Sequence, residues 1–198
     1  MLRRAKREIT ALVAAIALSV ISVMSASPAQ AGPYCGIYWG SLAKHQGRQV
    51  PGPITNVRAG RHGCFDRMVI DLRGRAAGYR IAYISDTLMG IPLRGSAQLD
   101  VHVRASRYGL GDCWTCEPPK YDPRHGWDLV PLTGFQTIRQ VALASETGFF
   151  APTPDGGEVF TGGETEFGVG VRARLPFRAF WLQDSTTSRL VIDVAHHW

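Results

Sequence analysis

The chain has 198 residues, of which 45% are hydrophobic and 19% are charged, and its formal net charge is +6. Four of its 22 basic residues and one of its 16 acidic residues lie within the first eight positions, in a segment that we expect to be removed. The remaining chain keeps 18 basic and 15 acidic residues, about +3, which argues against a nucleic-acid-binding protein.

The N-terminal segment has the three parts of an export signal. Four of residues 1–7 are basic, residues 9–26 are apolar and uncharged, and the small residues Ala29 and Ala31 follow. This pattern predicts a signal peptide over residues 1–31, cleaved after Ala31, and a single domain over residues 32–198. The alternative is an N-terminal transmembrane anchor, because the apolar run is near the length that spans a bilayer. With cleavage, we expect a secreted or cell-wall-associated domain that has no membrane span.

All four cysteines, Cys35, Cys64, Cys113 and Cys116, follow the predicted cleavage site. An even number in an exported chain favours two disulfides, and four cysteines allow three pairings. The short spacing favours a local Cys113–Cys116 pair, which leaves Cys35 with Cys64. That second bridge would close a loop of about 30 residues and contribute about 3 kcal/mol of stability.

Alternating apolar and polar residues dominate the mature chain, and no helical period is convincing. Turns rich in glycine or proline separate the segments, at 74–78, 90–95, 152–157 and 162–163. About eight short strands separated in this way predict an all-β fold, either a β-sandwich or an open barrel, with 141–145 as a possible short helix. The predicted strands cover residues 54–58, 65–72, 79–84, 99–104, 135–144, 167–175, 177–182 and 190–194.

Two of these segments repeat one pattern. Arg67 and Asp71 are four residues apart on one strand, as are Arg189 and Asp193 on another. If the two strands pair antiparallel in register, Arg67 faces Asp193 and Asp71 faces Arg189, which predicts two cross-strand ion pairs. The repeat also suggests that the domain has two pseudo-symmetric β halves.

Residues 106–132 are rich in proline, glycine and aromatic residues and predict a long loop. The loop is either functional, for example in binding another exported protein, or packed on the surface by its own aromatic residues. Within it, Cys113 and Cys116 could be a redox pair, or could bind zinc with His125 and His102. We expect the oxidising compartment to favour a structural disulfide, and we expect no cofactor and no metal.

Five stretches carry an ordered series of motifs: Cys35–Ser41, Val57–Arg67, Gly78–Tyr83, Gly170–Arg178 and Ser188–Val194. The series resembles the AMIN-like domain proteins, which are exported proteins of high-GC Gram-positive bacteria. The resemblance implies a β-sandwich-like domain, similar to the AMIN domains that target amidases and secretin proteins to the cell envelope. Peptidoglycan binding is the proposed role of those domains. The stretch from Cys113 to Cys116 is an addition to the usual pattern.

The candidate ligand-binding residues are mostly arginines. Arg172 and Arg174 are two apart and would share a strand face, and Arg178 follows beyond a Leu-Pro-Phe corner. Together with the aromatic residues at 177, 180 and 181, they could bind the carboxylates of a glycopeptide, although a solvated face of ion pairs has the same pattern. Arg61 and His62, in the turn between the first two strands, are further candidates.

These observations lead to one expected function and two alternatives. We expect a non-enzymatic cell-envelope binding module whose ligand is peptidoglycan or an envelope glycan. The first alternative is a protein–protein interaction module of exported proteins. The second is a hydrolase of envelope material that uses Asp66 and His62. Since the chain has no Gly-x-Ser-x-Gly motif, no catalytic residue is assigned.

Overall fold

The computed structural model describes residues 33–47, 52–85, 92–106 and 128–198, all within one structural unit, Pro33–Trp198. The predicted signal peptide, the Cys113–Cys116 pair and most of the predicted 106–132 loop lie outside these residues. The described residues form nine strands and contain no helix that could cross a membrane. The strands are β1 (Lys44–Gln46), β2 (Ile54–Arg61), β3 (Phe65–Arg73), β4 (Tyr79–Ile84), β5 (Ala97–Val103), β6 (Ile138–Pro152), β7 (Glu158–Val171), β8 (Phe177–Gln183) and β9 (Thr187–Ala195).

The strands form two antiparallel sheets, which confirms the predicted all-β sandwich. The five-stranded sheet has the order β1-β4-β5-β7-β6 and the four-stranded sheet has the order β2-β3-β9-β8. The four-stranded sheet consists of two hairpins, β2–β3 and β8–β9, which are joined where β3 pairs with β9. The expected division of the domain into two pseudo-symmetric β halves stays a prediction.

The core lies between the inner faces of the two sheets and follows from the alternation of the strands. In β3, Met68, Ile70 and Leu72 are at most 1% exposed, as their shared face predicts. Burial of this kind contributes about 25 cal/mol for each Å² of apolar surface removed from water. The other fully buried large side chains include Ile81, Leu99, Val101, Ile138, Phe167, Phe177, Leu190 and Ile192.

Residues 141–145 belong to strand β6, as the predicted strand over 135–144 implies, so the alternative of a short helix there is wrong. Two other local predictions are also wrong. Residues 162–163 lie inside β7 and not in a turn, because the β6–β7 hairpin is long and turns only after Pro152. The strand predicted to reach residue 175 ends at Val171. At that point β7 loses both neighbours, since Val171 pairs with Ala97 near the start of β5 and with Ile138 at the start of β6. The chain then crosses from one sheet to the other.

A disulfide joins Cys35 to Cys64, as predicted, with the two Cα atoms 6.4 Å apart. It ties the N-terminal segment to the beginning of β3. The same segment forms a β-bridge from Gly40 to Phe177 at the start of β8. The disulfide and the bridge hold Trp39, which lies between their residues, near the outer face of the four-stranded sheet, where its ring is 5.9 Å from that of Phe65.

Candidate functional site

The outer face of the four-stranded sheet carries two arginines that share one carboxylate. Arg67 on β3 and Arg178 on β8 both lie opposite Asp193 on the intervening strand β9. The Asp193 side chain is fully buried, whereas the side chains of Arg67 and Arg178 are 24% and 32% exposed. The three groups therefore carry a net charge of about +1 at neutral pH, and the positive groups are the ones that solvent can reach.

The bonds to Asp193 fix the planes of both guanidinium groups. Arg67 Nε and Nη2 donate to Asp193 Oδ1 and Oδ2 at 2.6 and 2.9 Å. Arg178 Nε donates to Oδ2 at 2.8 Å. Such charge-assisted, two-point pairing adds geometric specificity as well as energy. The remaining N–H groups of the two guanidinium groups can donate to a further acceptor.

Three aromatic rings surround the two arginines. The Arg178 guanidinium lies 5.4 Å from the Trp39 ring, 5.5 Å from Phe65 and 5.0 Å from Phe180. Arg67 lies 5.1 Å from Phe65 and 5.9 Å from Phe180. All three rings are partly exposed. We call these five residues the arginine–aromatic platform. It combines apolar ring surface with fixed cationic donors.

The other two arginines of the predicted set lie elsewhere. Arg172 and Arg174 follow the end of β7 and belong to no strand. The prediction that they share a strand face is therefore wrong. Arg172 donates to the carbonyl of His196 at 2.7 Å. The Arg174 guanidinium lies 5.0 Å from the ring of Tyr83, a side chain whose burial raises its phenol pKa to about 12. Only Arg178 of the three belongs to the platform.

The aromatic residues predicted beside these arginines are also separated. Phe177 is fully buried in the core, and Trp181 packs partly buried against it. Both lie on the inner face of β8 because strand side chains alternate, which leaves Phe180 on the outer face beside Arg178. The predicted patch therefore keeps Arg178 and Phe180 and loses the rest.

Arg61 and His62 line a polar pocket of about 510 Å³ together with Asp66 and His196. Both Arg61 and His62 are exposed, and the His62 ring stacks on Phe65 with the centroids 4.5 Å apart. Since Phe65 belongs to the platform, His62 connects the pocket to it. The structure thus places His62 in contact with the platform and Arg61 in the pocket that His62 also lines.

The Asp66 carboxylate is held in buried hydrogen bonds, as in a structural role, and is not free to act as an acid or a base. Its side chain is fully buried, and Oδ2 accepts bonds from Thr137 N at 2.5 Å, Thr137 Oγ1 at 2.9 Å and Ile138 N at 3.1 Å. Its Oδ1 lies 3.2 Å from His196 Nε2. Both oxygens are engaged, so the carboxylate joins β3 to the beginning of β6. This does not favour Asp66 as the hydrolytic partner of His62.

Comparison with known protein families gives one match. The model of the AMIN-like domain matches residues 52–149 and 156–196, which is more than half of the chain. The chain belongs to the AMIN-like domain family. No curated protein and no solved structure matches it. The interruption in the family match falls at the tip of the β6–β7 hairpin, and Trp39 lies before the match begins.

The AMIN-like domain has the register expected for its two repeated strands. Arg67 lies opposite Asp193, and Asp71 lies opposite Arg189. The second expected ion pair is nevertheless wrong. Asp71 accepts two hydrogen bonds from Arg58 on β2, at 2.8 and 3.0 Å, which raise the Arg58 pKa, and Arg189 instead lies 3.7 Å from Asp184. Arg58 is the diagonal neighbour on the outer hairpin strand, within reach of a long side chain.

Sequence reasoning missed three members of the platform, namely Trp39, Phe65 and Arg67, the last of which was assigned only to an ion pair. A signal was present: an aromatic residue stands two positions from each arginine, Phe65 from Arg67 and Phe180 from Arg178. A period of two places each pair on one strand face. Trp39 gave no such signal, because its position depends on the disulfide and the bridge at Gly40.

Proposed function

We propose that this AMIN-like domain is a non-enzymatic cell-envelope binding module that recognises peptidoglycan or an envelope glycan through the arginine–aromatic platform. The observation that carries the proposal is the sharing of the buried Asp193 carboxylate by Arg67 and Arg178 between three partly exposed rings. The ligand class is one that presents sugar rings and carboxylates together.

The chemistry of the platform suits such a ligand. The apolar face of a sugar ring packs on an aromatic side chain, and a peptide or sugar carboxylate accepts paired bonds from a guanidinium group. Asp193 neutralises only one of the two positive charges of Arg67 and Arg178. The remaining positive charge can therefore pair with a carboxylate of the ligand. The pairing also holds the guanidinium planes before the ligand arrives, which lowers the entropy lost on binding.

Two further observations support an envelope location. Membership of the AMIN-like family agrees with a role in envelope binding. The Cys35–Cys64 disulfide agrees with the oxidising compartment that the predicted signal peptide implies. We therefore propose that the domain is exported, and that it stays in the envelope through what it binds.

Sedimentation with purified cell walls tests this proposal. The mature domain should sediment with the walls, and Arg178→Ala should weaken that binding about tenfold, since a hydrogen bond to a charged group contributes about 1.5–3 kcal/mol. Arg58→Ala is the matched control. Arg58 lies on the same sheet and is half-exposed, but it bonds to Asp71, outside the platform. Arg172→Ala should also bind as wild type.

The outcomes separate the proposal from its alternatives. If the domain does not sediment with walls, or if Arg178→Ala sediments as well as wild type, the platform is not the wall-binding surface. A domain that needs residues 106–132 to capture another exported protein, and does not bind walls, would support the protein-interaction alternative. Most of that segment lies outside the described residues.

A further inference from the structure

The outer face of the five-stranded sheet has the opposite character to the platform. Three carboxylates, those of Asp100, Glu164 and Glu166, surround the imidazole of His102 there. We call these four residues the His102 cluster. They are brought together by strand pairing: His102 on β5 lies opposite Glu166 on β7, and Asp100 and Glu164 are each two positions away on the same face.

One nitrogen of His102 lies between two carboxylates. His102 Nε2 is 3.0 Å from Asp100 Oδ2 and 3.5 Å from Glu166 Oε1, and one donor atom from each of the three residues lies within 4.8 Å of the others. Around Zn²⁺, with ligand bonds of about 2.0–2.2 Å, neighbouring donor atoms are separated by about 3.0–3.5 Å. The donor atoms of Asp100, His102 and Glu166 are therefore close to the spacing that one cation requires.

Further contacts orient the donor atoms of His102 and Glu166, as outer hydrogen bonds orient the ligands in known metal sites. His102 Nδ1 is 2.7 Å from Glu164 Oε1, so that carboxylate can hold the proton on Nδ1 and leave the Nε2 lone pair directed at Asp100 and Glu166. Ser145 Oγ donates to Glu166 Oε2 at 2.8 Å, which leaves Oε1 toward the imidazole. A carboxylate on the outer nitrogen of a histidine ligand is the usual support for a metal-binding imidazole.

One oxygen of Asp100 is buried and unsatisfied. Its side chain is only 4% exposed, and its Oδ1 is buried without a hydrogen-bond partner among the described residues. A buried carboxylate oxygen without a hydrogen-bond partner destabilises the folded state, because the hydrogen bonds it made to water are not replaced. Its other oxygen already faces His102.

The charges of the His102 cluster also favour a cation. Among the described residues, Arg80 donates to Asp100 Oδ2 at 2.8 Å and is the guanidinium that pairs with the cluster. Three carboxylates against one guanidinium leave an excess of about two negative charges when His102 is neutral. A divalent cation would balance that excess.

We propose that Asp100, His102 and Glu166 bind a divalent transition-metal ion of the Zn²⁺ class, with Glu164 as the positioning residue for His102. One imidazole and two carboxylates suit Zn²⁺ or Mn²⁺, whereas Mg²⁺ and Ca²⁺ prefer oxygen ligands alone. Exposure rises from Asp100 through Glu166 at 13% and His102 at 23% to Glu164 at 36%, so the site opens to solvent on one side. Three protein ligands leave a coordination position for water or for a further ligand.

Calorimetric titration of the metal-free chain with Zn²⁺, after treatment with EDTA and removal of the EDTA, tests the site. We expect one Zn²⁺ bound through this cluster, and we expect His102→Ala and Glu166→Gln each to weaken that binding at least tenfold. Glu164→Gln should weaken it about 10-fold, as loss of an outer carboxylate does in other metal sites. His197→Ala is the control for adventitious binding by exposed histidine and should bind as wild type. Mg²⁺ is the comparison cation and should bind more weakly.

Two readouts do not depend on the variants folding. In the wild-type chain, Zn²⁺ should shift the ring resonances of His102 in the NMR spectrum. Co²⁺ should bind without a thiolate charge-transfer band, since no cysteine belongs to the site. A Zn²⁺ titration that leaves the His102 resonances unmoved would overturn the proposal, as would wild-type Zn²⁺ affinity in a folded His102→Ala variant.

Discussion

Arg67 lies directly opposite Asp193 across the β3–β9 pairing, and its guanidinium makes two hydrogen bonds to a carboxylate that is fully buried. A buried charge without a partner is costly, so Asp193 depends on the arginines around it. The arginines in turn depend on Asp193 for their orientation. Stability and the geometry of the platform are therefore coupled at this residue, and both can be measured.

Asp193→Asn should lower the free energy of unfolding by about 3 kcal/mol, because it leaves two guanidinium groups facing a neutral amide in a buried position. It should also weaken wall binding, since the guanidinium planes lose the group that holds them. Urea denaturation checks the first effect and sedimentation with cell walls checks the second. Asp71→Asn is the control: its pair with Arg58 is more exposed, and its loss should cost less than about 1 kcal/mol. Equal losses in the two variants would contradict the account.

Replacing both Cys35 and Cys64 by serine should lower the free energy of unfolding by about 3 kcal/mol, because the bridge closes a loop across 29 positions of sequence. The same change frees the segment that carries Trp39, one of the three platform rings. Wall binding should therefore weaken even under conditions where the variant remains folded. Unchanged binding in a folded variant would show that Trp39 contributes nothing to the platform.

Asp66→Ala should destabilise the domain by about 3 kcal/mol or more, because it leaves the buried backbone amides of Thr137 and Ile138 without their acceptor and removes one of the two acceptors of the Thr137 hydroxyl. His62→Ala, which removes an exposed side chain from the same pocket, should change stability by less than about 1 kcal/mol. Thermal and urea denaturation give both values. A stable Asp66→Ala variant would instead indicate a carboxylate available for catalysis.

Tyr83 should make stability fall at high pH. Its hydroxyl donates to the Leu175 carbonyl at 2.6 Å and accepts from the Leu175 amide at 3.0 Å, and burial raises its pKa to about 12. A phenol whose folded pKa lies above its unfolded value of about 10 stabilises the fold fully below pH 10, and this contribution is lost as pH rises towards 12.

Tyr83→Phe isolates this contribution. The variant should lose about 1–2 kcal/mol at neutral pH, for the two hydrogen bonds to Leu175. The difference between wild type and variant should shrink between pH 10 and pH 12, as followed by denaturation at several pH values. A difference that stays constant over this range would contradict the buried, hydrogen-bonded phenol.

Local patterns were sufficient for much of the sandwich. Alternation gave the face shared by Met68, Ile70 and Leu72, and the repeated Arg–Asp spacing gave the register in which Arg67 meets Asp193. Both succeed because a strand has a period of two and because one buried face restricts the register.

The features that could not be predicted depend on contacts between distant strands. The end of β7 at Val171 is set by where β5 and β6 begin, which no residue near 171 reveals. Asp66 accepts hydrogen bonds from Thr137, which is 71 positions away in the sequence. His102 was considered for zinc only with the distant cysteines, whereas its neighbours Glu164 and Glu166 are 62 and 64 positions along the chain and reach it through the pairing of β5 with β7.

NMR mapping of the mature domain with a soluble peptidoglycan fragment shows directly whether the arginine–aromatic platform is the binding surface. We expect the largest chemical-shift changes on the outer face of the four-stranded sheet, at the platform residues and the adjoining strands β3, β8 and β9. The residues around His102, on the outer face of the other sheet, should not move. No shifts at any fragment concentration, or shifts confined to a surface away from Arg67 and Arg178, would contradict the platform as the binding site.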